Sequence, residues 1–217
     1  MFVHHAFWDG WSDGVFVQEL KDLYNKQDLP PIPSYLDFAL SDNTKSGSIG
    51  TEHTKALCDY LEGADGINMA TDLRRPENQI FSNGASLYFS VPAAIANSLR
   101  LKAKESVVPA LITALSAVLH AYTNGQEDFL IGVPLANRTV KESQMIGFFV
   151  NLLPLRVKIP GNTTLASLYA SICDSLVFLQ ENEVPVDILA QHIGADRFGS
   201  RDSLSPVAFT FQGQPKV

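Results

Sequence analysis

His4-His5-Ala6-Phe7-Trp8-Asp9-Gly10, near the head of a 217-residue chain, is the stretch on which the reading of fold and function turns. Histidine exchanges protons near neutrality, so adjacent imidazoles suit proton handling. The aspartate four residues on can fix a tight loop by pairing with a distant cation. Gly10 allows close backbone approach to a ligand, or a positive φ. A pair of surface histidines has the same local look, and so does half of a metal site. Zinc, however, needs three or four converging His, Cys, Asp or Glu ligands. His53, His120, His192, Cys58 and Cys173 show no paired ligand spacing, so no metal is expected.

With 46% hydrophobic residues the chain can bury a sizeable core as one domain or two lobes. A net charge of −7 speaks against nucleic acid, because no basic stripe offsets phosphate repulsion. The 2 cysteines, far apart, read as reduced core residues and not a disulfide scaffold. The longest apolar run, Val107 to Leu119, is short for a bilayer span and is interrupted by Pro109 and Thr113. No charged-then-apolar leader precedes the histidines. The expectation is a soluble cytoplasmic protein with no membrane partner.

Met1, Phe2 and Val3 read as the end of a buried strand, which makes the chain a fragment or one whose partner strands come from elsewhere. Ser12 or Asp13 can cap a helix carried by Val15, Phe16, Leu20, Leu23 and Tyr24. The prolines between Leu29 and Pro33 make an extended connector, and Tyr35 to Leu40 starts a second short helix. Residues 42–50, rich in Ser, Gly and Asn, read as a linker. Helices are expected over Thr51 to Glu62, Ala93 to Lys104, Pro109 to Tyr122, Leu165 to Leu179 and Val186 to His192. Strands are expected over Ser86 to Val91, Phe129 to Val133 (ended by Pro134), Phe148 to Val157 (interrupted by Pro154) and Val207 to Phe211. This alternation predicts an α/β class, helices sandwiched on a mixed sheet.

The opening heptapeptide resembles the HHxxxDG signature of condensation domains of nonribosomal peptide synthetases. Tyr35-Leu36-Asp37-Phe38-Ala39 is similar to the family's YxDFAxW segment, and Thr71 to Pro76 to its TDxxRP turn. Gln126 to Arg138 resembles the QEDxxxGxPxANR run, and Ile146 to Asn151 with Leu155-Arg156 the IGxFVNxLxLR segment. Pro185 and the stretch Arg197 to Phe209 follow the last motifs more loosely. The motifs keep family order across essentially the whole chain. Leu40-Ser41 departs from the usual Trp-Gln, and Phe198, Ser203 and Pro206 break the last motif. The segment Phe149 to Asn151 favours peptide-bond-forming condensation over epimerization, and the histidine pair favours it over heterocyclization.

The resemblance implies a chloramphenicol-acetyltransferase-like fold, one lobe plus the end of the other, with a tunnel between lobes. Residues 1–41 would end the N-terminal lobe with the active-site loop, 42–50 would link, and 51–217 would form an incomplete C-terminal lobe. It implies acyl transfer between thioesters on donor and acceptor peptidyl carrier domains, beside adenylation and other synthetase modules. Phosphopantetheine would ride on the carriers, with no cofactor bound by this chain. His5 would position or deprotonate the acceptor amine, His4 would support the loop, and the Gly10 amide would lie near the developing oxyanion. Asp9 would serve the loop through an ion pair, with Arg138 as the candidate partner, rather than as a second base. Asn151 would line the tunnel or satisfy backbone groups. Trp8 and Trp11 read as packing residues. The isolated chain would be a poor catalyst. The alternatives are a non-catalytic carrier-docking remnant, or an acyltransferase of the HxxxD type using acyl-coenzyme A.

Overall fold

The run Asp128-Phe129-Leu130-Ile131-Gly132-Val133-Pro134-Leu135 is apolar almost throughout, the pattern of a strand covered on both faces. A computed structural model describes residues 2–46, 51–70, 72, 84–102, 106–193 and 205–212, and in it this run is β1 (Asp128–Leu135). Phe129, Leu130 and Ile131 are wholly buried. β1 pairs antiparallel with β2 (Asn151–Lys158), Asp128 opposite Lys158 and Leu135 opposite Asn151. Its other edge takes two isolated parallel bridges, Leu130 with Gly66 and Gly132 with Ala208, so the expected mixed sheet is, among the described residues, a two-stranded antiparallel ladder with parallel bridges beside it.

Hydrogen-bond parity explains how both strands run through prolines. The Gly132 N–H donates to Val207 O at 2.9 Å, and Gly132 O accepts from Phe209 N at 2.8 Å, so Gly132 turns its polar groups away from β2. Pro134 shares that parity. Across the ladder Pro154 lies opposite Gly132, and the Arg156 N–H two residues on donates outward to Tyr60 Oη at 2.7 Å. A missing N–H at such positions removes no β1–β2 bond. The expected strand end at Pro134 and interruption at Pro154 are therefore corrected: β1 and β2 are continuous.

The helices are α1 (Gly10–Tyr24), α2 (Tyr35–Ser46), α3 (Thr51–Leu61), α4 (Ala93–Lys102), α5 (Val108–Tyr122), α6 (Leu165–Glu181) and α7 (Val186–Ile193). α5 carries a proline in its first turn, where no intrahelical N–H is lost. α6 opens on a capping box: Ser167 N–H donates to Thr164 Oγ1 at 3.1 Å, and Thr164 N–H to Ser167 Oγ at 3.0 Å. α5 packs on α6, α3 on α7, and both α6 and α7 touch β2. Leu57, Ile112, Leu153, Leu155, Ile172 and Leu189 belong to the resulting core. Arg156 locks the end of α3 to the sheet. Its guanidinium pairs with Asp128 at 2.6 Å and donates to Tyr60 O at 2.7 Å and Glu62 O at 3.0 Å.

Other expectations change. The cap of α1 is Asp9, not Ser12 or Asp13: Asp9 Oδ1 accepts from Ser12 N. The stretch 42–50 is helical as far as Ser46, and its last residues lie outside the described ones. Extending an existing helix costs only tenths of a kcal/mol per polar residue, so Ser, Asn and Asp do not by themselves end one. Ser86 to Val91 is no strand. Leu87, Tyr88 and Phe89 are exposed, and among the described residues no ladder partner meets them. Alternation supplies a strand's faces but not its neighbour. Phe2 and Val3 are likewise exposed and irregular. Val207 to Phe211 contributes only the bridge at Ala208. The Thr71 to Pro76 motif, save Asp72, and Arg197 to Leu204 lie outside the described residues. No helix among those described is long and apolar enough to cross a membrane.

The ladder parity predicts contrasting substitutions. Pro154→Ala should change unfolding stability by less than about 1 kcal/mol. Leu155→Pro should cost more than about 2 kcal/mol, because it deletes an inward ladder donor and strands its acceptor. Urea unfolding checks both, and equal effects would contradict the register.

Candidate active site

The histidine loop is built from short-range hydrogen bonds. His5–Phe7 forms one 3-10 turn with His4 as its N-cap. His4 Nδ1 accepts from the Ala6 N–H at 3.1 Å, so its proton sits on Nε2 and this imidazole supports the turn. His5 takes the opposite tautomer. Its Nδ1 lies 2.5 Å from Trp8 O, and a carbonyl only accepts, so Nδ1 carries the hydrogen. That leaves the Nε2 lone pair on an exposed side chain. The His5 ring meets the Phe148 ring edge-on, with centroids 5.2 Å apart.

Asp9 anchors the far end of the loop. Its side chain is 4% exposed and that of Arg138 2%, and the two pair at 2.8 Å across 129 residues of sequence. Arg138 Nη2 reaches the second carboxylate oxygen at 3.0 Å. Phe149 N–H donates to Asp9 Oδ2 at 3.0 Å, and Ser12 donates to Oδ1 through its N–H (3.0 Å) and hydroxyl (2.9 Å). Burial pushes the Asp9 carboxyl up, but the Phe149 amide, Arg138 and Ser12 together hold it below the usual aspartate value. Arg138 in turn donates through Nη1 to Glu142 O and Met145 O, each at 2.7 Å, and its guanidinium lies 4.0 Å from the Phe149 ring centroid. A carboxylate so enclosed is committed to structure. The expected partner of Asp9 is the one observed.

Gly10 is the first residue of α1, where a helix N–H has no intrahelical acceptor. Its φ is not in the left-handed region, which corrects that part of the sequence reading. A Cβ there would meet nothing closer than Gln212 Nε2 at 3.9 Å, so a side chain would find room on this side of the turn. Trp8 and Trp11 are held by their indoles: Trp8 Nε1 donates to Asp13 at 2.7 Å and Trp11 Nε1 to Ser143 O at 2.9 Å.

Asn151 satisfies backbone groups in this structure. It is 8% exposed, donates to Val184 O at 2.8 Å and Glu183 Oε1 at 3.0 Å, and accepts from Val186 N at 3.2 Å. Its amide is consumed in tying the start of α7 to β2. Ser12, read from the sequence only as a possible helix cap, belongs to the site. Its wholly buried oxygen also lies 2.9 Å from Gly147 O, which competes with Asp9 for the single hydroxyl hydrogen, and accepts from Gly147 N at 3.1 Å. The signal was available: Ser12 is three residues after a capping Asp, where an N-cap side chain finds its amide donor. Among the described residues no group of three or more His, Cys, Asp or Glu could hold a metal.

The condensation-domain family model matches residues 1–216. The chain belongs to that family. It is 30% identical over 220 residues to gramicidin S synthase 2 of Brevibacillus brevis, covering 98% of this chain and 5% of that protein. It is 32% identical over 221 residues to surfactin synthase subunit 1 of Bacillus subtilis (strain 168), covering 97% of this chain and 6% of that one. Among solved structures, a four-domain nonribosomal peptide synthetase bound to AMP and glycine aligns with a TM-score of 0.81 at 21% identity, over 95% of this chain and 16% of that one. The first condensation domain of the calcium-dependent antibiotic synthetase, in complex with a substrate analogue, aligns with a TM-score of 0.70 at 15% identity, over 97% of this chain and 50% of that one. The fold is the chloramphenicol-acetyltransferase-like fold of condensation domains. The chain spans about half of that solved condensation domain and a small fraction of the synthetases it matches.

The buried pair sets two stability predictions. Arg138→Ala leaves the Asp9 charge buried without its cation and should cost about 3–5 kcal/mol in urea unfolding. Because the folded Asp9 carboxyl lies below its unfolded value of about 3.9, it stabilises the fold above that pH. This contribution is lost as pH falls through the lower folded value. Asp9→Asn should remove that acid-side component, and an unchanged stability-against-pH curve would contradict the assignment.

Proposed function

We propose that this chain forms the catalytic loop and one lobe of a domain that joins carrier-bound acyl units by an amide bond. The observation that carries the reading is the His5 tautomer: Nδ1–H bound to Trp8 O, and Nε2 free to accept, on a loop fixed by the Asp9–Arg138 pair. In this reading residues 1–41 end the N-terminal lobe and 51–217 form a C-terminal lobe that is incomplete at its end. The connection over 42–50 is helical as far as Ser46.

The step balances as an acyl transfer. An acceptor amine nitrogen attacks the donor thioester carbonyl, the C–N bond forms, the C–S bond breaks, and the donor thiol departs. His5 Nε2 accepts a hydrogen bond from the attacking amine, aligns its lone pair and takes the proton, which leaves with the thiol. The Gly10 N–H, at the positive end of α1 and without an intrahelical acceptor, would stabilise the developing oxyanion. Asp9 has no part in the proton transfer, because its oxygens are already occupied. Donor and acceptor peptidyl carrier domains deliver the substrates, and the phosphopantetheine that tethers them belongs to those carriers. Adenylation and further synthetase modules stand beside them in the parent protein.

Because the chain spans half of a solved condensation domain, the test belongs in a complete domain. With loaded donor and acceptor carriers, His5→Ala should lower turnover about 100-fold while the thermal midpoint stays near wild type. Undiminished turnover would remove His5 from the chemistry. Use of free acyl-coenzyme A without any carrier would favour the soluble-thioester acyltransferase instead, and carrier binding without turnover would favour a docking remnant.

A further inference from the structure

One peptide unit beside His5 is held at both ends. The unit joins Phe148 to Phe149. Its N–H, on Phe149, donates to Asp9 Oδ2 at 3.0 Å. Its C=O, on Phe148, accepts from Tyr35 Oη at 2.8 Å. A peptide is planar, so fixing both groups fixes the plane and the direction in which the Phe148 side chain leaves it. That side chain meets the His5 ring at 5.2 Å and 89°. Phe148 is 38% exposed, so packing around its own ring is incomplete and its backbone does much of the aiming.

Tyr35 is itself firmly seated. It opens α2, stacks on Phe38 at 6.3 Å and meets the Phe149 ring at 5.2 Å. Gly147 makes room for it, since a Cβ there would collide with the Tyr35 ring. The ring contacts account for the docking of α2. They do not require the hydroxyl, whose hydrogen bond to Phe148 O is a separate contact.

We propose that Tyr35 is a positioning residue for His5, acting through the Phe148–Phe149 peptide and the Phe148 ring. The inference rests on the reading of His5 as the group that handles the amine proton. With Asp9 holding one side of the peptide and Tyr35 the other, His5 Nδ1 is kept on Trp8 O and Nε2 keeps one direction. Without the tyrosine hydroxyl the peptide can rotate, Phe148 shifts, and the imidazole samples other rotamers and the second tautomer.

The test is made on the ¹⁵N-histidine-labelled 217-residue chain, whose 5 histidines are resolved by long-range ¹H–¹⁵N correlation, with His5→Gln identifying the His5 signals. Wild type should show His5 in the Nδ1–H form. Tyr35→Phe, which keeps the ring and deletes only Oη, should give comparable populations of both tautomers, and Phe148→Leu should reproduce that signature. Wild-type His5 patterns in both variants would overturn the proposal. Should Tyr35→Phe fail to fold by circular dichroism, Phe148→Leu decides alone, since Phe148 is the only route proposed. In a complete synthetase, Tyr35→Phe should lower kcat roughly tenfold with KM for the loaded carrier unchanged. A synthetase that forms no amide bond would overturn the functional reading while leaving the tautomer result standing.

Discussion

The Asp9–Arg138 pair is the constraint from which the site is built. Two opposite charges taken almost wholly out of water are tolerable only when their remaining donors and acceptors are also matched. Here both Asp9 oxygens and both terminal Arg138 nitrogens are matched, Arg138 Nε alone of the pair being buried without a partner, and the matching sets the architecture. Asp9 takes the Ser12 amide and hydroxyl and so starts α1, and it takes the Phe149 amide and so fixes the approach to β2. Arg138 closes the loop after β1 through the carbonyls of Glu142 and Met145. A single charge neutralisation thus joins the histidine loop, the first helix and both strand connections.

The same arrangement separates two acidic or basic roles that the heptapeptide leaves open. A carboxylate that accepts from an arginine, two amides and a hydroxyl has no lone pair to spare and is held in its charged form. An imidazole with one nitrogen on a carbonyl and the other facing outward is the reverse case: oriented and available. His4 completes the contrast. Its Nδ1 serves the Ala6 amide, so the first histidine supports the turn while the second presents a lone pair. The adjacent residues differ in role because each ring nitrogen is assigned by a different backbone partner.

Much of this was legible in the sequence, and the misreadings have common physical roots. Helices α3, α5, α6 and α7 follow their apolar periodicity closely, because each buries one stripe on a neighbour. Arg138 could be named because a loop aspartate needs a cation and the Ala136-Asn137-Arg138 run supplied one in family order. Pro134 and Pro154 misled because proline's effect on a strand depends on which way its missing N–H would point. That direction is set by register with a strand some twenty residues away in the chain, not by local sequence. Ser86 to Val91 misled for a related reason: alternation specifies two faces and says nothing about an edge partner. Asn151 was ambiguous because polar residues amid apolar strands serve ligands and backbone alike. Its contacts with Val184 O and Val186 N, which show the backbone role, depend on where α7 starts and not on local sequence.

The motifs gain their sense as one contact set. The Asp9-Gly10 corner, the Tyr35 to Phe38 turn of α2, Arg138 and the Gly147 to Phe149 approach to β2 are far apart in sequence. They meet within hydrogen-bond or ring-contact distance. Phe149 shows why they must be read together: its amide serves Asp9, one part of its ring receives the Arg138 guanidinium, and Tyr35 and Phe38 pack against the rest. Gly147 can carry no side chain because Tyr35 occupies that space. These distinctive residues therefore act as one set that holds the loop carrying the exposed His5 imidazole. In the proposed transfer between carrier-bound units, tethers would supply proximity and the loop direction.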